Sequence, residues 1–173
     1  MNSVVIYRSK YGASARYARM LAETLGCECL DIQTLTPECL REYDPVIAGG
    51  GIYAGSVACA SFLKKLHKRF PEKRLLVFAV GASTFDAQEA AKVRRQNFRD
   101  DLSEIPFVYC RGVYDESVMS WKDRTLCRML RSALKKNPPQ RPEPWAQALC
   151  EAEGKRCDWV DQRFLAPLFE ILS

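Results

Sequence analysis

The stretch Arg8-Ser-Lys-Tyr-Gly-Ala-Ser14 places hydroxyl groups at Ser9, Tyr11 and Ser14 around Gly12, between an apolar run (Val4, Val5, Ile6) and a segment with helical spacing. This order suits an anion such as a phosphate. The first amides of a helix lack intrahelical partners and carry the positive end of the helix dipole, so they hold a phosphate without a cationic side chain. Gly12 lets the backbone come close, and the hydroxyls add donors. The competing reading is a polar turn that only caps a helix. Two further loops also follow apolar runs. Val46, Ile47 and Ala48 lead into Gly49-Gly50-Gly51-Ile52-Tyr53-Ala54-Gly55-Ser56, and the run from Arg74 to Val80 leads into Gly81-Ala82-Ser83-Thr84-Phe85. Small residues around one tyrosine suit a flat ring.

These loops need a frame. Short apolar runs alternate with helical patterns, which predicts an α/β fold, a three-layer, doubly wound parallel sheet of five strands near 3–7, 28–32, 45–50, 74–80 and 106–111. In such sheets ligands bind at the carboxyl ends of the strands, where the connections diverge. The first helix turns Tyr17, Ala18, Leu21, Ala22 and Leu25 inward and ends at Gly26. Thr36 and Pro37 start a short second helix over 37–42. Ser56 is expected to cap a third helix, with Phe62, Leu63, Leu66 and Phe70 facing the sheet and Pro71 beyond its end. Asp86 and Glu89 form a capping-box pattern before a helix from 87 to about 100. A further helix covers 122–135, with Trp121 expected as its core anchor. Asn137-Pro-Pro-Gln-Arg-Pro-Glu-Pro144 reads as a loop. Residues 159–172 return as a closing helix with Val160, Phe164, Leu168 and Leu172 inward, kinked or restarted at Pro167.

The 173 residues are 47% hydrophobic, enough for one domain spanning 1–173 with a substantial core. No basic leader with a sustained apolar stretch opens the chain and no run reaches membrane-span length, so a cytosolic location is expected. Reduced thiols are then the expectation for the eight cysteines, most of them as small core residues. No Cys-x-x-Cys is present and the single His67 gives no ligand cluster, so no metal is expected. The net charge of +5 is concentrated in the middle: residues 1–60 sum to −1, 61–141 to +9 and 142–173 to −3. Arg124, Arg128, Arg131 and Lys135 fall at helical spacing as a cationic stripe. One reading is a solvated face; the other is a surface for an acidic protein, an anionic membrane or a carboxylate-bearing substrate.

Several other chemistries lack their residues. Cys150 to Arg156 fits Cys-x5-Arg, but Glu151 and Glu153 would repel phosphate and no strand precedes it. Neither a Walker loop nor Gly-x-Gly-x-x-Gly follows the first strand. The phosphorylation site of a receiver domain has no acidic cluster here. Nucleic-acid binding would rest on charge alone, without an aromatic platform.

The loop at 9–14 resembles the phosphate loop of flavodoxin-like proteins, and the resemblance extends along essentially the whole chain. Tyr7-x-Ser-x-Tyr-Gly12, Gly51-Ile-Tyr-Ala-Gly55 and Trp121-Lys-Asp-Arg-Thr-Leu126 are most similar to the short flavodoxins related to menaquinone-dependent protoporphyrinogen oxidase. This resemblance implies strand order 2-1-3-4-5 and an FMN cofactor. Ser9, Lys10, Tyr11, Gly12, Ala13 and Ser14 would hold its phosphate. Gly50, Gly51, Ile52, Tyr53, Ala54 and Gly55 would flank the ring with Gly81, Ala82, Ser83, Thr84 and Phe85. Tyr53, Phe85, Tyr114 and Trp121 are the aromatic residues expected near the ring. Ala13, Ser14 and Gly50 depart from the usual pattern, and a flexible loop at Gly50 would alter the redox potential. The implied function is electron transfer or oxidoreduction through FMN, with a quinone-type acceptor. Alternatives are a non-catalytic carrier that docks on a redox partner protein, or a flavin-free binding module. No catalytic acid or base is implied.

Overall fold

The computed structural model describes residues 2–141 and 143–172; Met1, Ser173 and Pro142 of the proline-rich loop lie outside the described residues. Five strands form one parallel sheet: β1 (Val4–Arg8), β2 (Glu28–Asp31), β3 (Val46–Tyr53), β5 (Leu75–Gly81) and β6 (Phe107–Arg111), in spatial order β2-β1-β3-β5-β6. A two-residue strand, β4 (Ser56–Val57), pairs antiparallel with the end of β3. With β4 set apart, the order is the expected 2-1-3-4-5.

The central strands are buried on both faces, which is why they read as unbroken apolar runs rather than alternating ones. Val4, Ile6, Val46, Ala48, Val77 and Ala79 point to the layer formed by α2 (Ala60–Arg69) and α3 (Ala87–Asn97). Val5, Ile47, Leu76, Phe78, Val108 and Cys110 point to the layer of α1 (Ala13–Leu25) and α6 (Ala166–Leu172). Tyr17, Ala18, Leu21 and Ala22 of α1 are buried as its spacing required, and Gly26 ends the helix in the left-handed conformation. Burial raises the Cys59 and Cys110 thiols to about 12.

Several expectations are corrected. Ser56 lies in β4, and α2 begins four residues later, after Cys59, without a side-chain cap. The segment after Thr36 is a 3-10 helix, Pro37–Leu40. Asp86 does cap α3, its Oδ1 accepting from the Glu89 amide at 2.9 Å, but the helix ends at Asn97. The closing segment divides into a 3-10 turn, Gln162–Leu165, and α6, with Pro167 in the first turn of α6 and Leu165 and Leu168 fully buried.

Residues 113–141 and 143–158 build a satellite of which the sequence pattern announces only the helix over 122–135. In it β7 (Val113–Asp115) and β8 (Arg156–Asp158) pair antiparallel, beside α4 (Trp121–Lys136) and α5 (Pro144–Glu151). Its apolar cluster is small, with Tyr114, Leu149 and Ala152 buried among the described residues. Among the described residues no helix is long and apolar enough to cross a membrane, and no group of three His, Cys, Asp or Glu side chains is placed to hold a metal.

Candidate functional site

The site forms where the connections of β1 and β3 part: β1 continues to α1 on one face and β3 to α2 on the other. Ser9 follows β1, and its Oγ accepts from the Gly12 amide at 3.1 Å. Gly12 has φ 89 and is the N-cap of α1, with no side-chain cap hydrogen bond. Only glycine reaches that conformation without strain, and it leaves the first-turn amides of α1 uncapped by any side chain. Ala13 and Ser14 open the helix, Ser14 only 2% exposed.

Lys10 and Tyr11 turn away from those amides and toward α4. Lys10 Nζ donates to Asp123 at 2.5 Å, the Tyr11 hydroxyl donates to the same oxygen, and the Ser120 amide donates to Tyr11 Oη at 3.3 Å. The hydrogen bond from Lys10, and then that from Tyr11, holds the Asp123 carboxyl below its ordinary range, and the same contact raises the Lys10 ammonium. Asp123 and Ser120 were missed as site residues. Ser120-x-x-Asp123 is a helix-start pattern, and Ser120 Oγ does accept from the Asp123 amide at 3.3 Å.

The glycines after Ala48 do not form an open loop. Gly50 and Gly51 lie within β3, in register with Ala79 and Val80 of β5. A Cβ on Gly50 would stand 2.8 Å from the Cys59 amide, so this glycine admits the start of α2 rather than loosening a loop. A Cβ on Gly51 would stand 2.6 Å from Tyr53 Oη, because the Tyr53 ring folds back over it. Ile52 and Tyr53 then pair with Val57 and Ser56 across a two-residue turn, Ala54 at φ 48 and Gly55 at φ 79. An alanine held there costs about 1 kcal/mol. The Tyr53 ring meets the Tyr11 ring edge-on with centroids 6.3 Å apart, Lys10 Nζ lies 5.7 Å from its centre, and burial raises its hydroxyl pKa. Tyr53 therefore joins loop 9–14 to the hairpin.

Across the site, loop 81–85 is held by β6. Tyr109 Oη donates to the Ser83 carbonyl at 2.8 Å and lies 3.0 Å from Ser83 Oγ. Arg111 Nε donates to the Ala82 carbonyl at 3.1 Å, its guanidinium 3.8 Å from the centre of the Trp159 ring. Gly112 donates to the Gly81 carbonyl at 2.7 Å. Thr84 and Phe85 are exposed, Phe85 by 60% with its ring beside Tyr109. Asn97 braces the hairpin as Tyr109 and Arg111 brace loop 81–85, and none of the three was legible. They come from neighbouring elements, not from the loops they hold.

Two aromatic expectations fail. Tyr114 is buried in the satellite, bonded to Glu116 and Arg131. Trp121, expected in the core, is 72% exposed, because α4 packs through Cys127, Arg131 and Leu134 instead. The cationic stripe is also reassigned. Arg131 is 5% exposed and pairs with Glu116, and Lys135 pairs with Glu153 at 2.7 Å. Arg124 donates to the carbonyls of Ser117 and Met119. Of the four, Arg128 remains most open. The face of α4 turned to solvent carries Lys122, Leu126, Met129 and Lys136.

No curated protein matches the chain. Among solved structures, the chain is similar to a flavodoxin from the domain Archaea, with 14% identity over 87% of this chain and 99% of that one and a TM-score of 0.48. It is also similar to a candidate flavoprotein from Bacteroides uniformis, with 18% identity over 70% of this chain and 97% of that one and a TM-score of 0.43. The model of the flavodoxin domain matches residues 4–140, from the first residue of β1 into the proline-rich loop. With the parallel order β2-β1-β3-β5-β6, that match shows that the chain belongs to the flavodoxin domain family.

Proposed function

We propose that this domain binds FMN and works as a flavin redox protein. The phosphate would rest on the first-turn amides of α1 within loop 9–14, and the ring between the hairpin 53–56 and loop 81–85. One observation carries this reading: the N-terminus of α1, uncapped by any side chain, lies where the connections of β1 and β3 diverge, beside Ser9 and Ser14. Bound FMN supplies one- and two-electron exchange, and the protein supplies binding, orientation and tuning. Ser9 braces the loop through the Gly12 amide. Asp123 neutralises Lys10, so the phosphate meets amides and hydroxyls rather than a free cation. Tyr53 offers an electron-rich ring to the flavin, which favours its oxidised form.

Two electron paths follow from this reading. One is oxidation of a small substrate with a quinone-type acceptor, as the resemblance to protoporphyrinogen oxidase-type domains implies. The other is exchange with a partner protein. The exposed Trp121, Met129 and Phe85 favour contact with a partner or an anionic membrane beside the site, through Lys122 and Lys136 rather than through the expected arginine stripe.

Titration of the purified protein with FMN tests the reading, followed by flavin absorption and fluorescence. One-to-one binding that is lost in Ser9→Asp and Ser14→Asp supports it, and absence of binding overturns it. Stepwise reduction of the complex then separates a carrier, which accumulates a one-electron state, from an enzyme that turns over a small substrate.

A further inference from the structure

The turn of the β3–β4 hairpin holds Ala54 at φ 48, a conformation L side chains rarely adopt, so its surroundings must enforce it. The side-chain amide of Asn97, the last residue of α3, bonds to this turn from outside the hairpin. Its Nδ2 donates to the Gly55 carbonyl at 2.7 Å and to the Val93 carbonyl at 2.8 Å, and its Oδ1 accepts from the Val57 amide at 2.8 Å. Asn97 is 7% exposed, and its carbonyl and both amide hydrogens are used. Its partners on the hairpin follow the strained alanine, so the amide fixes the path by which the chain leaves the turn. Asn97 is itself placed by Val93 of its own helix and by Phe98, which is 1% exposed in the core.

We infer that Asn97 is a positioning residue for the ring wall. It holds Tyr53–Ser56 in the conformation that receives the ligand. Without it Ala54 leaves the left-handed region and the competent hairpin becomes a minor population, which weakens binding by the fraction lost. This inference rests on the placing of the flavin ring against the hairpin.

A double-mutant cycle in the full chain tests it: Asn97→Ala, Ala54→Gly and the two combined, with FMN as the probe and fluorescence quenching as the readout. Glycine takes positive φ freely, so a hairpin carrying Ala54→Gly depends less on the clamp. Asn97→Ala is expected to weaken FMN binding about tenfold with Ala54 present, but no more than about threefold in the Ala54→Gly background. Equal losses in the two backgrounds would mean that Asn97 only packs the end of α3, and would overturn the inference, as would no loss in either. Asn97→Asp keeps an acceptor for Val57 and loses the donors, so an intermediate loss is expected. It serves if the alanine variant does not fold, and wild-type affinity in it also counts against the clamp. Hydrogen exchange at the Val57 amide, measured without FMN, is expected to quicken in Asn97→Ala more with Ala54 present than in the Ala54→Gly background. If wild-type protein does not bind FMN, the exchange cycle alone decides: a background-dependent change keeps the clamp and removes the flavin reading, and a flat one overturns the clamp.

Discussion

The parallel sheet and the satellite of residues 113–158 hold themselves together by different physics. In the sheet, whole apolar side chains are removed from water on both faces, Phe78 and Ile47 on one and Val46 and Val77 on the other, all without exposure. In the satellite the central buried side chain of α4 is a cation. Arg131 reaches Tyr114 Oη at 2.8 Å, pairs with Glu116, and lies 3.6 Å from Glu153 through an Nε that has no hydrogen bond. Apolar packing is undirected and tolerates small shifts. A buried cation depends on its partners, because removing them leaves a desolvated charge behind. The satellite is therefore specified by fewer groups and fails more locally.

The largest expected effect breaks the sheet side of this contrast. Phe78→Ala should cost about 3–5 kcal/mol and unfold the chain as a unit in a denaturant titration. Next, Arg131→Ala should cost about 2–3 kcal/mol, with faster amide exchange in α4 and α5 while the central strands keep their protection. Acid sharpens the contrast further. Arg131 holds the Glu116 carboxyl below its usual value of 4.5, so its contribution is complete above that pH and fades as pH falls toward the depressed value. Exchange in α4 should therefore rise as pH drops below about 4.5, before the sheet opens. The smallest effect belongs to the link between the two regions. Asp123→Asn should change stability by less than about 1 kcal/mol, since Lys10 is half exposed, yet loosen the start of α4 from loop 9–14. Nuclear magnetic resonance shifts at Tyr11 and Ser120 would show it.

The same contrast explains what could be read in advance. The five strands and α1 were legible because each carries its burial pattern in its own sequence; Val46, Ile47 and Ala48 need no knowledge of their neighbours to be apolar. The turn at 9–14 was legible for the same reason, as strand, glycine and helix start are consecutive. What failed depends on partners far along the chain. β7 is three residues long and exists because Val113 pairs with Asp158. Arg131 sits at regular spacing in a basic helix, and Tyr114, Glu116 and Glu153 make it an interior residue. Gly50 resembled a flexible loop until Cys59, further along the chain, was found against it. Asn97 lies inside the helix expected from 87 to about 100, and nothing near it in sequence signals its bond to a hairpin far earlier in the chain.

The placement of Leu165 and Leu168 against Val5, Phe78 and Cys110 has a further consequence for how the protein is made. The segment that completes, beside α1, the cover on this side of the sheet is translated after all five strands. Until it emerges, the strands on the ribosome display an apolar wall that α1 covers only in part, with Tyr17 lacking the Asp161 amide that bonds its hydroxyl. During that interval the nascent chain is the form most exposed to aggregation and to chaperone capture, so the yield of this protein depends on that covering segment out of proportion to its length.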